Sequence, residues 1–236
     1  CFGLMGLIST FGLVGRTATL HIHCHADLER ILTPQLEYFC KGMAYNVEFH
    51  LINPTKAEVV YEDRSVTVSS IPLRHRIPTC GFLFAEKPTP NHIIRDMIDF
   101  YKVPVFELNR IKNGEDYVLP DGTVIPNNRL TTPPAPPRSY AYCSDTIFHR
   151  PIIEQIKGVN LLFHEATFAQ CDAQRAKETF HTTAMQAGEI ARDADVKQLL
   201  IGHFSARYED ENILLQEARS VFPNTLLAKE NLKVTL

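Results

Sequence analysis

The sequence has 236 residues, of which 44% are hydrophobic, so it is long enough for one large domain or two small ones. Its formal net charge of −3 gives no global case for nucleic-acid binding, so an RNA partner would have to meet a local basic patch. The six scattered cysteines form no CxxC pair, which favours free thiols in a reducing cytoplasm over a disulfide framework or a Cys-rich zinc knuckle. No apolar run is long enough to span a membrane, and the apolar residues 1–14 lack the basic leader of a signal peptide.

The first elements in chain order are a helix, a strand and a second helix. Apolar residues at helical spacing from Leu4 to Phe11 predict a buried opening helix. Residues 19–24 alternate as in a strand. Asp27 is a good N-cap for a helix over 27–39, which Pro34 would kink or split in two.

The run HIHCHAD, residues 21–27, looks like a metal-binding cluster. Strand alternation, however, places His21, His23 and His25 on one face of an edge-like strand, with no carboxylate at the matching position. Asp27 is better used as the helix cap. We therefore expect no metal at this run.

The middle of the chain predicts a meander followed by an excursion. The sequence predicts three successive strands of a meander at 46–52, 58–61 and 65–71. A fourth strand, at 80–85, is predicted to continue the sheet. From 86 to 129 the sequence is too polar to be core throughout, and a hairpin is predicted around Pro120-Asp121-Gly122. We predict that residues 86–129 form a projecting arm, after which a proline-rich stretch leads back into the body.

The remainder alternates strand and helix. The predicted strands are 139–143, 159–163, 197–201, 225–228 and 232–235, and the predicted helices are about 147–157, 182–194 and 210–220. Four strand ends lead into ligand-type side chains, namely His75, Asp145, the pair His164 and Glu165, and His203. Such side chains gather at one edge of an α/β sheet, where these proteins usually place their sites.

Imidazole and carboxylate without thiolate suit a catalytic zinc or manganese site better than a structural one. His75, Asp145 and His203 lie far apart in sequence, so the fold rather than a local loop would build the site. Taken singly, each is more simply a hydrogen-bonded surface or core residue. Four strands that end alike favour the metal site.

His181 stands at a predicted helix N-terminus, with Thr182 and Thr183 as candidate caps. The positive end of the helix dipole disfavours an imidazolium there, and a carboxylate partner such as Glu165 would offset this. The two side chains could then orient one another for proton donation to a leaving group. The alternative is a histidine that simply caps the helix.

Five blocks recur in the same order over almost the whole chain in one known family. They are LRHRIPTCGF around His75, YCSDT around Asp145, LLFHEATF around Glu165, HTTAMQAGEIA from His181 and LLIGHFSARY around His203. Together they resemble the ribonuclease Z family, the transfer-RNA 3′-processing nucleases of the metallo-β-lactamase superfamily. The resemblance implies an α/β fold, the αββα sandwich of that superfamily, as a single domain over 1–236 with 86–129 as its arm insertion.

The family carries a HxHxDH motif that would end just before Cys1, and the sequence contains no such motif. We therefore expect a chain without its leading strands and first ligand set, which should hold metal poorly.

By the same resemblance, His75 would bind the first zinc, Asp145 would bridge both and His203 would bind the second. The intact protein would hold two Zn²⁺ per subunit, with Mn²⁺ as the alternative metal. Glu165 and His181 would form the dyad that gives a proton to the leaving 3′ oxygen.

The arm would grip precursor transfer RNA in a homodimer that has no membrane association. The candidate phosphate contacts on it are Lys102, Arg110, Lys112 and Arg129.

Two other functions compete with the nuclease. A metallo-β-lactamase-fold esterase or sulfatase would act on a small molecule, for which a projecting arm is hard to explain. A non-enzymatic RNA-binding module that has lost its first ligand set is the third interpretation. The arm favours the nuclease.

Overall fold

The computed structural model describes residues 2–236, so Cys1 lies outside the described residues. Its strands are β1 (Leu20–Cys24), β2 (Val47–Leu51), β3 (Val59–Glu62), β4 (Val66–Pro72), β5 (Cys80–Glu86), β6 (His92–Ile93), β7 (Tyr117–Val118), β8 (Val124–Ile125), β9 (Thr131–Thr132), β10 (Ser139–Cys143), β11 (Leu161–Glu165), β12 (Gln198–Gly202) and β13 (Thr225–Leu227). Its helices are α1 (Phe2–Leu13), α2 (Ala26–Phe39), α3 (Arg95–Phe100), α4 (Leu108–Lys112), α5 (Asn127–Leu130), α6 (Ala173–Thr179), α7 (Ala184–Asp193) and α8 (Asn212–Val221).

The chain divides into two compact units. The larger unit, here called the body, comprises residues up to Asp63, Thr67–Phe84 and Ser139–Leu236. The smaller unit, here called the insertion, comprises Arg64–Val66 and Ala85–Arg138. The predicted arm at 86–129 falls within the insertion, and its RNA-binding role stays a prediction.

A mixed seven-stranded sheet forms the centre of the body, in the strand order β13-β12-β11-β10-β5-β4-β3. Each of the pairs β10–β11, β11–β12 and β12–β13 is parallel, whereas β3 pairs antiparallel with β4. The predicted strands at 139–143, 159–163 and 197–201 are confirmed to within two residues at each end. Strands that lie buried on both sides need continuous apolar runs, which explains why these were easy to predict. The α/β class is confirmed.

Helices α7 and α8 pack against the parallel part of the sheet. The side chain of Thr183 caps α7 and accepts a hydrogen bond from the backbone N–H of Gln186, while the Gln186 side chain accepts one from Thr183 N–H. The buried face of α7 includes Ile190, which has no exposed surface and contributes about 1.5–3 kcal/mol by its burial. Gly188 lets α7 and α8 approach closely, because a Cβ there would lie 2.9 Å from the carbonyl oxygen of Ala218.

Several predictions for the C-terminal half need correction. The helix predicted at 147–157 is only a short 3₁₀ turn, Arg150–Glu154, because Pro151 cannot donate a backbone hydrogen bond within a longer helix. The strand predicted at 232–235 does not form within the described residues. Helix α6, at Ala173–Thr179, was not predicted.

The first quarter of the chain differs most from expectation. Strands β1 and β2 form a separate parallel two-stranded sheet, so the run at 46–52 is not part of the meander. Helix α1 is not buried: only Ile8 is fully covered, because the helix is apolar on every side and the described residues cover one stripe of it. Helix α2 continues through Pro34 and is capped by His25, whose ring accepts from Asp27 N–H, so Asp27 is not the N-cap.

The insertion has a small core of its own. Two short antiparallel pairs, β6–β9 and β7–β8, accompany helices α3 to α5. The buried apolar side chains of this core are Ile98, Val103, Ile111, Ile125 and Leu130. No helix within residues 2–236 has both the length and the apolar character needed to cross a bilayer.

Candidate active site

Three of the predicted site residues lie together because their strands are parallel neighbours. In the register of β10, β11 and β12, Cys143 lies beside His164, and Glu165 lies beside Gly202. The carboxyl ends of the three strands therefore meet at one edge of the sheet. Asp145, Glu165 and His203 all emerge at that edge.

The loop after β4 brings His75 to the same edge. The backbone N–H of Arg74 donates to Thr146 Oγ1 at 3.2 Å, and the Arg74 carbonyl accepts from Ile147 N–H at 2.9 Å. The Nδ1 atom of His75 lies 3.0 Å from the carbonyl oxygen of Phe180. Because a carbonyl only accepts, Nδ1 carries the proton and Nε2 is left free to act as a ligand.

Side chains of ligand type form two overlapping clusters at this edge. One consists of His75, Asp145 and His181, and the other of Glu165, His181 and His203; the ligand atoms within each group lie within 4.8 Å of one another. Nε2 of His203 also lies 3.3 Å from Oδ1 of Asp145, and both side chains are about half exposed. Imidazole and carboxylate donors of this kind fit zinc or manganese.

The grouping differs from the predicted ligand set in one respect. Within residues 2–236, His75, Asp145 and His203 do not form a single three-ligand group, and His181 belongs to both groups that do form. The predicted roles of the three residues as metal ligands stay predictions.

Three non-glycine residues at this edge have left-handed backbone conformations. The φ angles are 58° at Asp145, 61° at Phe180 and 59° at His203. Such conformations cost about 1–3 kcal/mol each and cluster at functional sites, where the surrounding structure enforces them. Here they turn the chain sharply at two strand ends and at the end of α6.

Glu165 and His181 form a buried ion pair. The Nδ1 atom of His181 lies 3.0 Å from Oε2 and 3.1 Å from Oε1 of Glu165, whose side chain has no exposed surface. The carboxylate also accepts from the backbone N–H of Thr146 at 2.5 Å, from Thr182 N–H at 3.1 Å and from the Thr167 hydroxyl at 2.6 Å. The carboxylate is therefore saturated with donors that favour its charged form.

The pKa values of the pair move in opposite directions. Burial raises the pKa of Glu165, but the hydrogen bonds from His181, Thr167 and Thr146 together outweigh it and hold the pKa below its ordinary value of 4.5. The hydrogen bond to Glu165 raises the pKa of His181 above 6.5, against the opposing effect of burial. Such a pair favours the protonated form of His181.

Sequence reasoning missed Thr146 and Thr167, and it considered Thr182 only as a candidate helix cap, a role that Thr183 fills. Thr146, Thr167 and Thr182 are almost fully buried, and each donates to Glu165 from its backbone or its side chain. The Thr167 hydroxyl also lies 3.0 Å from Nδ1 of His203, so it contacts both the Glu165–His181 pair and a candidate metal ligand. The position of Thr167 two residues after Glu165 was the only local signal.

His164 is not part of the site, although its strand end suggested a ligand. Its side chain is fully buried, and its Nδ1–H donates to the carbonyl oxygen of Glu165 at 2.8 Å. Burial lowers the pKa of His164, so it is neutral. Its Nε2 atom has no hydrogen-bond partner among the described residues.

A cavity of about 350 Å³ opens beside His181, a volume within the range of small-ligand sites. Its lining combines apolar side chains with polar and basic ones: Ile147, Phe148, Ala173, Gln174, Lys177, His181 and Gln186. Lys177 and His181 therefore line the same cavity.

The four basic residues predicted to contact phosphate all lie on the surface of the insertion: Lys102, Arg110, Lys112 and Arg129. The guanidinium of Arg110 is engaged by Glu115 at 2.6 Å and by Glu107 at 3.2 Å. These carboxylates compete with a phosphate for Arg110, so this residue is the weakest of the four candidates.

Solved structures with the same fold confirm the fold class. Human tRNase Z, short form, is 19% identical, with a TM-score of 0.63 over 99% of this chain and 73% of that one. A metallo-β-lactamase-fold protein from Bacillus subtilis is 17% identical, with a TM-score of 0.57 over 95% of this chain and 68% of that one. The predicted metallo-β-lactamase-type fold is confirmed.

Comparison with curated sequences gives closer relatives, whereas no protein-family model matches the chain. The chain is 74% identical to ribonuclease Z of Phocaeicola vulgatus over 236 residues, which are all of this chain and 76% of that protein. It is 70% identical to ribonuclease Z of Bacteroides fragilis, again over the whole chain and 78% of the relative. The chain belongs to the ribonuclease Z family.

Proposed function

We propose that this protein is a metal-dependent endoribonuclease that removes the 3′ trailer from precursor transfer RNA by hydrolysis and leaves a 3′-hydroxyl. The observation that carries the proposal is the buried Glu165–His181 pair, which lies beside the candidate metal ligands at the same edge of the sheet. A proton donor beside a metal-binding group is what cleavage of a phosphodiester with a poor leaving group needs. Membership of the ribonuclease Z family supports this substrate over a small ester or sulfate.

His75, Asp145 and His203 are the residues that would hold the metal, which we propose to be two Zn²⁺ per subunit of the intact protein, or Mn²⁺. When bound, the metal would activate a water molecule and offset negative charge at the phosphoryl group. The carbonyl of Phe180 contacts Nδ1 of His75, and the Thr167 hydroxyl contacts Nδ1 of His203, so these contacts leave the Nε2 atom of each ring available as a ligand.

Glu165 and His181 act on the leaving group. Cleavage breaks the bond between phosphorus and the 3′ oxygen of the transfer RNA, and that oxygen must gain a proton. The protonated His181 supplies it, while Glu165 holds the ring in position and stabilises its charge. The same carboxylate then helps His181 to regain a proton from water.

The insertion would bind the body of the precursor. Lys102, Lys112 and Arg129 are exposed on it and would meet phosphates, which gives the local basic surface that a protein of net charge −3 requires. We further propose that the protein works as a homodimer in the cytoplasm.

The test is cleavage of a 3′-extended precursor transfer RNA by the intact protein with Zn²⁺ or Mn²⁺, with the product ends mapped to the nucleotide. The proposal expects a single cut after the discriminator base, a 3′-hydroxyl on the product, and loss of the cut in His203→Ala. Hydrolysis of a small aryl ester without any RNA cleavage would favour the esterase instead. RNA binding without hydrolysis of either substrate would favour the non-enzymatic module.

A further inference from the structure

A second cluster of ligand-type side chains lies on the β1–β2 pair. In the parallel register of these strands His21 lies opposite Glu48, and His23 lies opposite His50. Residues two apart in a strand share a face, so all four side chains lie on the same face of the pair. This cluster shares no residue with the candidate active site.

Three members of the cluster converge on a common point. His21, Glu48 and His50 are exposed and each offers one ligand atom, and these atoms lie within 4.8 Å of one another. Nδ1 of His21 lies 2.9 Å from Nε2 of His50 and 3.3 Å from Oε2 of Glu48. Two nitrogen ligands of a tetrahedral zinc ion lie about 3.3 Å apart, given Zn–N bonds of about 2.0–2.1 Å. Only small side-chain movements would therefore be needed to admit an ion.

Neighbouring rings hold His50 in place. The ring of His23 stacks on it, with 4.7 Å between centroids and 18° between planes. Tyr61 in turn meets His23 edge-on at 6.0 Å. These contacts restrict the orientation of the His50 ring. His21 and Glu48 are each more than half exposed and can adjust around it.

The sequence argued against a metal at HIHCHAD because it has no carboxylate at the matching position. The structure removes that objection, since the carboxylate comes from Glu48 on the neighbouring strand. His25 caps α2 instead and is not one of the three converging ligands.

We propose that His21, Glu48 and His50 form a surface site for a transition-metal dication such as Zn²⁺, with its remaining coordination positions open to water. Two imidazoles and one carboxylate favour zinc, copper or nickel over magnesium or calcium, which prefer oxygen ligands alone. The ion would link β1 to β2. A two-stranded sheet is marginally stable by itself, so this link would stabilise the first quarter of the chain.

The test is calorimetric titration of the full chain with Zn²⁺ in a background that carries Asp145→Ala and His203→Ala. These substitutions weaken zinc binding at the candidate active site. A binding event that remains in this background, and that a further His21→Ala or His50→Ala substitution removes, is then assigned to the proposed site. Glu48→Gln should weaken the same event by more than the roughly 10- to 100-fold that loss of an outer-shell partner costs. The matched control is His92→Ala, which removes an exposed strand histidine from the insertion and should change nothing.

Thermal unfolding gives a second readout. Zn²⁺ should raise the Tm of the background chain and of its His92→Ala variant, and the rise should be smaller in the His21→Ala variant. If His50→Ala fails to fold because its stack with His23 is lost, His21→Ala and Glu48→Gln decide the question, since both side chains are exposed. Identical Zn²⁺ titrations for the background chain and its His21→Ala and Glu48→Gln variants would overturn the proposal.

Discussion

Substitution of Glu165 by glutamine tests whether the buried carboxylate sets the proton affinity of His181. The change keeps the shape of the side chain and removes its charge. In the native protein Oε1 accepts from Thr146 N–H, and Oε2 accepts from Thr182 N–H and the Thr167 hydroxyl. Either orientation of a glutamine amide therefore points its NH₂ group at a backbone N–H.

The size of the effect follows from these contacts. A hydrogen bond to a charged group contributes about 1.5–3 kcal/mol, so Glu165→Gln should lower the free energy of unfolding by about 2–3 kcal/mol. General acid catalysis contributes about 10²–10⁴-fold to a rate, and a neutral His181 would lose most of this rate enhancement. Cleavage above the pKa of the unsupported imidazole should fall by about that factor.

The pH dependence has a defined sign. The pKa of His181 is raised, so its stabilising contribution is complete below 6.5 and is lost as the pH rises through the folded value. The pKa of Glu165 is lowered, so its contribution is complete above 4.5 and is lost as the pH falls through the folded value. The pair therefore contributes its full stabilisation of the fold between pH 4.5 and pH 6.5. In Glu165→Gln the basic limb of the cleavage profile should move to lower pH.

The assay is single-turnover cleavage of a 3′-extended precursor transfer RNA across the pH range, paired with urea unfolding. Glu230→Gln removes an exposed carboxylate and serves as the matched control, with no expected change in the profile. A basic limb that stays in place in Glu165→Gln, with the rate reduced equally at every pH, would refute the assigned role of the carboxylate.

The other predictions concern the strand end, the ligand set and the insertion. Gly202→Ala should cost about 1–3 kcal/mol in unfolding free energy, because the new Cβ would lie 2.7 Å from the ring of Phe163; an unchanged Tm would contradict this. Asp145→Ala should lower zinc content by elemental analysis and abolish turnover, and unchanged stoichiometry would count against its role as a ligand. Replacing Lys102 and Arg129 together by alanine should weaken precursor binding at low salt while sparing hydrolysis of a small phosphodiester. Equal loss on both substrates would show that these residues support the fold.

The strand ends of the body were predictable because the signal is local. Residues 159–163 and 197–201 are short apolar runs, and each is followed at once by a polar side chain of ligand type. Parallel pairing then brings Glu165 and His203 to the same edge without further information. His181 was found from its place at a helix N-terminus, and its partner Glu165 from the need to offset the helix dipole.

Other features depend on contacts that no local pattern encodes. Glu48 reaches His21 only because β1 pairs with β2, whereas the run at 46–52 was predicted to pair in a meander with the strands that follow it. The donors to Glu165 include backbone N–H groups, which any residue type could supply. Burial of α1 was wrongly predicted, because the apolar character of a helix favours burial but does not indicate which element would pack against it.

The most direct test of the proposed chemistry compares two precursor transfer RNAs, one with the natural 3′ oxygen at the scissile bond and one with sulfur in its place. A thiolate leaves without protonation far more readily than an alkoxide, so the sulfur substrate does not need the proton from His181. The proposal predicts that His181→Ala loses about 10²–10⁴-fold on the oxygen substrate and little on the sulfur substrate. Equal losses on the two substrates would contradict the assignment of His181 as the proton donor.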